Sequence, residues 1–206
     1  MSNKFCYSAL DRVTWLILAG GMGSRMHGKD KGLLKRSGRY MTDYLVQQLH
    51  ELGFRHCLIS ANRNIAIHQQ FAPVITDQYQ GYQGPLAGIH AASARICTPY
   101  LATLPCDIPE LPLPFIQQVI ERVCLSTSED AMSYIAFDGE RLQPTFGLLH
   151  QSDTLILKTM LNNNERKMTS FFSRINATRL PPLPKQCFVN LNSPSDLLIY
   201  NDIIEK

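Results

Sequence analysis

Residues 13–33 read VTWLILAGGMGSRMHGKDKGL, and this stretch decides the fold. Val13–Ala19 is a short, continuous apolar run, which predicts a central parallel strand that is buried on both faces. Glycines follow at once, and glycine lets a backbone turn tightly and bring N–H groups close to phosphate oxygens. Arg25, Lys29 and Lys31 can add positive charge to that turn. We therefore expect an anion-binding loop, with a plain glycine-rich turn carrying solvated basic residues as the alternative.

Downstream of this stretch, apolar runs alternate with amphipathic ones. Further strands are predicted at Phe54–Ala61, Val74–Thr76, Tyr100–Leu104, Ala131–Phe137, Pro144–His150 and Phe188–Asn190. Helices are predicted at Tyr40–Leu52, Pro85–Ile96, Phe115–Leu125, Asp153–Leu161, Thr169–Ser173 and Pro194–Ile204. Strand–helix alternation predicts an α/β fold, a mostly parallel twisted sheet with helices on both faces.

Polar side chains follow four of the predicted strands. The loop at residues 20–28 follows the first strand, Asn62 the second, Asp77 the third and Asp107 the fourth. In open α/β sheets, ligands bind outside the carboxyl ends of the strands. Taken singly, each residue also fits a turn or a helix cap. Four such sites at one sheet edge are harder to explain by packing, and they predict a shared ligand site.

Composition excludes several classes of protein. The 206 residues carry 20 basic and 17 acidic side chains, a net charge of +3, and show no basic stretch that would bind nucleic acid. No segment approaches the roughly 18 apolar residues of a membrane span, and the first residues do not resemble a secretory signal. The six cysteines form no C-x-x-C pair, and the six histidines show no ligand spacing with them. We expect a cytoplasmic protein with buried free thiols and no zinc site.

Two familiar phosphate-binding motifs nearly match the glycine-rich loop, and both fail. Gly23 to Lys29 fits G-x-x-x-x-G-K, but Asp30 replaces the Ser or Thr that would bind magnesium. The dinucleotide fingerprint fails because Met26 stands where its third glycine belongs.

The pattern L-A-G-G-x-x-x-R-M-x-G-x-D-K-G-L instead resembles the signature loop of the molybdenum-cofactor guanylyltransferases. Cytidylyl relatives typically carry Leu-Ala-Ala-Gly, so Gly20 favours the guanylyl branch. His27 is a departure, because the family usually has glycine there. The resemblance implies nucleotide-binding positions in this loop at Leu18, Ala19, Gly20, Gly21 and Lys31.

Other segments carry the same resemblance. Asn62 and Asp77 match nucleotide-binding positions of the family, and Asp107 matches its magnesium ligand. The segment GYQGPLAG at residues 81–88 is typical of the family, as are DGERLQPT at 138–145, with Gln143 in place of the usual His, and NLNSP at 190–194. For the molybdopterin side, the candidate residues are Tyr82, Gly84, Pro85, Asn190 and Asn192. The two asparagines equally fit caps of the last helix.

The resemblance implies a Rossmann-like, GT-A-like nucleotidyltransferase domain over residues 13–206, preceded by an extension at 1–12. The implied reaction transfers GMP from GTP to molybdopterin and releases pyrophosphate. Its catalytic residues would be Arg25 and Lys31, which neutralise triphosphate charge, and Asp107, which holds Mg²⁺. Association with other molybdenum-cofactor assembly proteins is a further implication.

Two alternatives stay open on the sequence. One is a cytidylyl- or sugar-phosphate nucleotidyltransferase with the same loop and Asp107. The other is a GTP-binding regulatory protein without turnover, for which only His27 and Gln143 speak. A structural metal-binding protein is disfavoured, since the chain has no His/Cys cluster.

Overall fold

The computed structural model describes residues 7–21, 30–79, 81, 83–127, 130–191, 196 and 200. Within these ranges the strands are β1 (Val13–Leu18), β2 (Lys35–Arg36), β3 (Arg39–Tyr40), β4 (Cys57–Ser60), β5 (Val74–Ile75), β6 (Tyr100–Pro105), β7 (Tyr134–Phe137), β8 (Leu142–His150) and β9 (Thr178–Arg179). The α-helices are α1 (Tyr7–Leu10), α2 (Met41–Glu51), α3 (Ile65–His68), α4 (Pro85–Ser93), α5 (Leu113–Leu125), α6 (Leu157–Asn162) and α7 (Met168–Arg174). Short 3₁₀ helices cover Lys31–Leu33, Gln151–Ile156 and Lys185–Phe188.

The main sheet has the strand order β5-β4-β1-β6-β8-β7-β9 among the described residues. β1 pairs in parallel with β4 and with β6, and β4 pairs in parallel with β5. β8 is antiparallel to both β6 and β7, and β9 returns parallel to β7. The predicted α/β class is confirmed, with a mixed sheet whose parallel half contains β1.

Side chains of β1 alternate between two apolar layers. Trp15 and Ile17 join the layer that includes helices α2 and α5, and Leu16 joins the layer that includes α4, α6 and α7. Trp15 is fully buried, and its ring meets the rings of Phe54 and Phe115 edge-on at 5.3 and 6.1 Å between centroids. Helices therefore cover both faces of the sheet, as the unbroken apolar run predicted.

The predicted strand at Phe188–Asn190 is wrong. Residues 185–188 form a 3₁₀ helix, and Phe188 packs edge-on against Phe146 at 5.0 Å between ring centroids. The outer edge of β7 is already occupied, because β9 pairs with it and the backbone N–H of Leu183 donates to Phe137. Without an open strand edge the segment forms no ladder, and Phe188 is left half-buried. Of the predicted helix at 194–204, the structure describes residues 196 and 200, and both are helical.

Cysteine burial differs from the expectation of buried thiols. The five cysteines within the described residues are free, and Cys57 and Cys106 are buried as expected. Cys97 and Cys124 are exposed instead, because they lie near helix ends at the surface. No helix among the described residues is long and apolar enough to cross a membrane.

Helix α4 lies unusually close to the sheet at Gly88. A Cβ built there would overlap Ser60 Oγ and come within 3.0 Å of Ser60 Cβ. Replacing Gly88 with alanine should therefore lower the free energy of unfolding by about 1–3 kcal/mol through overpacking, measured by urea denaturation. Ser60→Ala in the same chain should recover part of the loss, because it removes the overlapping hydroxyl.

The control is Ser93→Ala at the end of the same helix, where the side chain donates to the His90 carbonyl within its own turn. A Gly88→Ala chain as stable as the wild type would contradict the close approach of α4 to β4.

Candidate active site

One cavity of about 400 Å³ opens at the carboxyl ends of the parallel strands. The last residues of β1, β4 and β6 all line it, and the loops that follow those strands supply most of the rest. Its lining consists of Leu18, Ala19, Gly20, Gly21, Lys31, Ser60, Asn62, Asp77, Gly84, Pro85, Pro105, Cys106, Asp107 and Thr145. Every predicted nucleotide-binding residue is therefore in one place, as the parallel topology requires.

Lys31 and Asp107 form an ion pair in this cavity. Lys31 Nζ donates to Asp107 Oδ2 at 2.7 Å, with the lysine side chain 24% exposed and the aspartate side chain 12% exposed. The two residues are 76 positions apart in the chain and meet because the Lys31–Leu33 turn lies beside the end of β6. The pair puts an ammonium and a carboxylate at the same point of the cavity wall.

Asn62 and Asp77 form a second pair across the ends of β4 and β5. The Asn62 amide donates to Asp77 Oδ2 at 2.5 Å, and the Asp77 backbone N–H donates to Asn62 Oδ1 at 3.0 Å. Two bonds on one amide fix the rotamers of both side chains. Asn62 therefore serves to orient the Asp77 carboxylate, besides lining the cavity itself.

Two glycines of the cavity wall, Gly20 and Gly21, have space around them that a side chain could occupy. A Cβ at Gly20 would meet Ser60 and Asn62 at 3.7–3.9 Å, ordinary contact distances, and one at Gly21 would meet nothing within 4 Å. Gly84 has φ +76° and precedes Pro85, the first residue of helix α4. Since Gly84 and Pro85 both line the cavity, the amino-terminal end of α4 borders it, a favourable place for an anion.

Asp30 directly precedes Lys31 of the cavity wall, and sequence reasoning gave it no role beyond failing a motif. It is 7% exposed, and its Oδ1 accepts from the Gly32 N–H at 3.1 Å. Its Oδ2 accepts from Asn64 Nδ2 at 3.0 Å, lies 3.2 Å from His68 Nε2 and 3.8 Å from Arg63 Nε. Burial raises the pKa of the Asp30 carboxyl, but the hydrogen bonds from His68 and Asn64 with the nearby positive charge outweigh it and hold the pKa below its usual value.

The donor set suits a metal that phosphates help to hold. Asp107 Oδ1 is buried and accepts no hydrogen bond from the described residues, so one carboxylate oxygen is uncommitted. Among those same residues, no three His, Cys, Asp or Glu side chains cluster, so the site lacks an all-protein cage. Mg²⁺ typically takes one or two carboxylates and completes its shell with waters and substrate phosphates. The residues present fit that pattern.

Cys106 and Thr145 also line the cavity, and sequence reasoning assigned neither a role. Burial, reinforced by the charge of Asp107, raises the pKa of the Cys106 thiol far above neutrality, so the thiol stays protonated. Thr145 lies in the cavity wall on the antiparallel strand β8, and its backbone carbonyl accepts a hydrogen bond from Thr103 Oγ1 at 3.0 Å.

Gln143, which stands where the family usually has histidine, does not line the cavity. Its side-chain amide donates to Asp138 at 2.8 Å and stabilises the turn before β8.

Several predicted residues are not placed in the cavity. Arg25, Tyr82, Asn192 and the departure at His27 lie outside the described residues. Asn190 is exposed and does not line the cavity, although the next residue, Leu191, donates its backbone N–H to the Asp107 carbonyl at 2.7 Å. Of the residues predicted for the molybdopterin side, Gly84 and Pro85 line the cavity.

Comparison with known proteins identifies a family. The sequence model of one protein family, the MobA-like NTP transferase domain, matches residues 15–178 of this chain. A molybdenum cofactor guanylyltransferase of Vibrio atlanticus is 36% identical over 191 residues, which cover 90% of this chain and 94% of the relative.

Two solved structures share the fold. Molybdopterin-guanine dinucleotide biosynthesis protein A from Archaeoglobus fulgidus superposes with a TM-score of 0.73 at 19% identity, covering 93% of this chain and 98% of that one. The 4-diphosphocytidyl-2C-methyl-D-erythritol synthase from Anaerococcus prevotii reaches a TM-score of 0.71 at 8% identity, covering 94% and 98%.

The lowered pKa of Asp30 predicts a pH-dependent contribution to stability. A carboxyl with a depressed folded pKa contributes stability that is fully present above its unfolded pKa, about 4, and is lost as pH falls through the folded pKa. The free energy of unfolding of the wild type should therefore exceed that of Asp30→Asn most at pH 7, and the difference should shrink below about pH 4. Urea denaturation between pH 7 and pH 2.5 measures it. If the difference in the free energy of unfolding stayed constant over this pH range, the lowered pKa of Asp30 in the folded protein would be contradicted.

Proposed function

This chain belongs to the family of MobA-like NTP transferase domains, and from that membership we infer that it is a molybdenum cofactor guanylyltransferase. It transfers GMP from GTP to molybdopterin, which forms the guanine dinucleotide cofactor and releases pyrophosphate. The observation that carries this function is the single cavity in which the Lys31–Asp107 pair, the Asn62–Asp77 pair and the 18–21 turn meet.

In the proposed arrangement, the cavity binds GTP between its two polar pairs. The backbone at residues 18–21 and the Lys31 ammonium contact the triphosphate, with Arg25 adding charge from the same loop. Asp77, held by Asn62, accepts hydrogen bonds from the base or ribose edge. The guanine edge carries two adjacent N–H donors, at N1 and N2, and an oriented carboxylate can accept both.

Asp107 is proposed as the Mg²⁺ ligand. Its uncommitted Oδ1 is available to a cation without breaking any hydrogen bond to the described residues, and its Oδ2 already faces the Lys31 ammonium. A bound divalent cation would neutralise phosphate charge beside Lys31. Family membership itself supports divalent-metal use, and the choice of Mg²⁺ rests on the sparse carboxylate set.

The chemistry requires alignment and charge neutralisation rather than a protein nucleophile. An oxygen of the acceptor's terminal phosphate attacks the α-phosphorus of GTP, a new P–O bond forms, and the α–β bridge breaks to release pyrophosphate. A phosphate monoester has a second pKa near 6, so the attacking oxygen is already ionised at neutral pH and no general base is needed. Cys106, the thiol in the cavity, stays protonated and is excluded as a nucleophile.

For the molybdopterin side, we assign Gly84 and Pro85 at the start of α4, where the helix terminus favours an acceptor phosphate. Tyr82, Asn190 and Asn192 remain candidates of the same side. GTP and molybdopterin are the substrates, and other molybdenum-cofactor assembly proteins are proposed partners. We further propose a cytoplasmic location and a catalytic domain over residues 13–206, with residues 1–12 as an extension.

Pyrophosphate release tests the function and its base specificity together. The chain is incubated with Mg²⁺, molybdopterin and each of GTP, CTP, ATP and UTP in turn. We expect release with GTP alone. Release with CTP would keep the mechanism and move the chain to a cytidylyl function, which the shared fold of the diphosphocytidyl synthase allows. Binding of both ligands without release from any nucleotide would support a regulatory GTP-binding protein instead.

The role of Asp107 is tested by Asp107→Asn, which keeps the shape and removes the charge. We expect kcat to fall by at least about a hundredfold at limiting Mg²⁺, because metal binding and charge stabilisation are lost together. Asp43→Asn is the matched control, since Asp43 is a partly exposed residue of α2 that pairs with Arg39 away from the cavity. Near-normal turnover of Asp107→Asn at limiting Mg²⁺ would refute the assignment.

A further inference from the structure

Lys31 is carried by a three-residue 3₁₀ turn, Lys31–Leu33, that is held from two sides. On one side, Thr42 Oγ1 of helix α2 donates to the Gly32 carbonyl at 2.9 Å. On the other side, Asp30 caps the turn by accepting from the Gly32 N–H. A Cβ at Gly32 would overlap Thr42 Oγ1 and lie 3.1 Å from His68 Cε1, so the turn fits closely between α2 and α3.

The cap on this turn depends on a buried histidine. His68 has no exposed surface, and its Nε2 lies 3.2 Å from Asp30 Oδ2, the oxygen that also accepts from Asn64. Because a carboxylate only accepts, Nε2 must carry the proton. His68 Nδ1 is buried without a partner among the described residues, so the contact with Asp30 is the ring's hydrogen bond there. Burying a polar ring costs free energy unless it is hydrogen-bonded, and the bond to Asp30 offsets that cost at only one of the two ring nitrogens.

We propose that His68 and Asn64 are positioning residues for GTP binding, which act through Asp30 to hold Lys31 at the triphosphate. The proposal rests on the inferred guanylyltransferase function and on the role of Lys31 in it. Neither His68 nor Asn64 lines the cavity, so neither touches the substrate. Their hydrogen bonds orient the Asp30 carboxylate, the carboxylate orients the Gly32 N–H, and the turn aims the Lys31 ammonium at the point where Asp107 lies.

This arrangement predicts a defect in the use of GTP and none in the binding of the acceptor. If the Asp30 carboxylate is free to rotate, the 3₁₀ turn loses its cap and Lys31 samples positions away from the phosphates. The GTP complex then loses the Lys31 contact, which raises KM for GTP, and kcat falls as far as Lys31 also neutralises charge that develops during transfer. Binding of the acceptor, which we assign to the side of the cavity at Gly84 and Pro85, should not change.

The test compares His68→Phe with His68→Gln. Phenylalanine keeps a ring in the buried space and removes the donor, whereas glutamine places an amide N–H near the position of Nε2. We expect His68→Phe to raise KM for GTP about tenfold, the usual order for a lost bond to a charged group, with KM for molybdopterin within about twofold of wild type. His68→Gln should restore most of the GTP affinity.

Two further variants separate positioning from stability. Asn64 has φ +50°, so Asn64→Gly keeps the left-handed backbone, removes the amide and leaves the core intact. It should raise KM for GTP several-fold, by the loss of one hydrogen bond to a charged group, and it reports on the proposal even if His68→Phe does not fold. Met160→Ala truncates a fully buried side chain in the apolar layer on the other face of the sheet. It should lower the melting temperature without changing KM for GTP.

The outcomes distinguish this proposal from the function on which it rests. Wild-type KM for GTP in the folded His68 and Asn64 variants, alongside a raised KM in Lys31→Ala, would overturn the positioning role and leave the guanylyltransferase function standing. A rise in KM for GTP in Met160→Ala equal to that in His68→Phe would overturn it too, since general destabilisation would then explain the effect. Absence of GTP-dependent pyrophosphate release by the wild type would overturn the function itself.

Discussion

Parallel pairing on both edges of β1 is the constraint on which the rest of the structure depends. In register, Leu18 lies opposite Ser60 of β4 and Pro105 of β6, so the three strands end at one level. The next residues of each chain segment then share one edge of the sheet, and there the cavity forms. A shift of β1 by one residue would turn Trp15 from its aromatic layer into the opposite one, so packing fixes the register that builds the site.

The sequence predicts the parts of the fold in which burial and periodicity agree. β1, β6 and helix α5 were predicted within about two residues of their observed ends, because long apolar or amphipathic runs leave few alternatives. The hairpin of β2 and β3 and the edge strand β9 are two residues long in each strand, too short for any periodic signal. At residues 188–190 the apolar pattern was misleading, because a strand also needs an open partner edge, and that edge depends on the whole topology.

The residues of the candidate site also fall into two groups, those that the sequence predicts and those that it does not. Asn62, Asp77 and Asp107 were predictable because each follows a strand, and polar residues at that position have a reason to be there. Asp30 and His68 were missed, since their contact joins residues 38 positions apart and no spacing rule predicts it. In sequence, His68 is a lone histidine in an apolar stretch, and only its burial against a carboxylate reveals a role. Residues that touch a ligand can thus be read from topology, whereas residues that hold them depend on packing.

One short loop connects the two ends of the proposed nucleotide site. The loop after β4 carries Asn62, which orients Asp77, and two residues later Asn64, which holds Asp30 and through it the turn of Lys31. The ends of the cavity that we assign to the base and to the phosphates are therefore held by two residues of one backbone segment, at the edge of a parallel sheet. A nucleotide bound between Asp77 and Lys31 would therefore meet two side chains that the same loop holds through hydrogen bonds. Preorganisation of this kind lowers the entropic cost of aligning the triphosphate, and alignment is what a transfer between two phosphates chiefly requires.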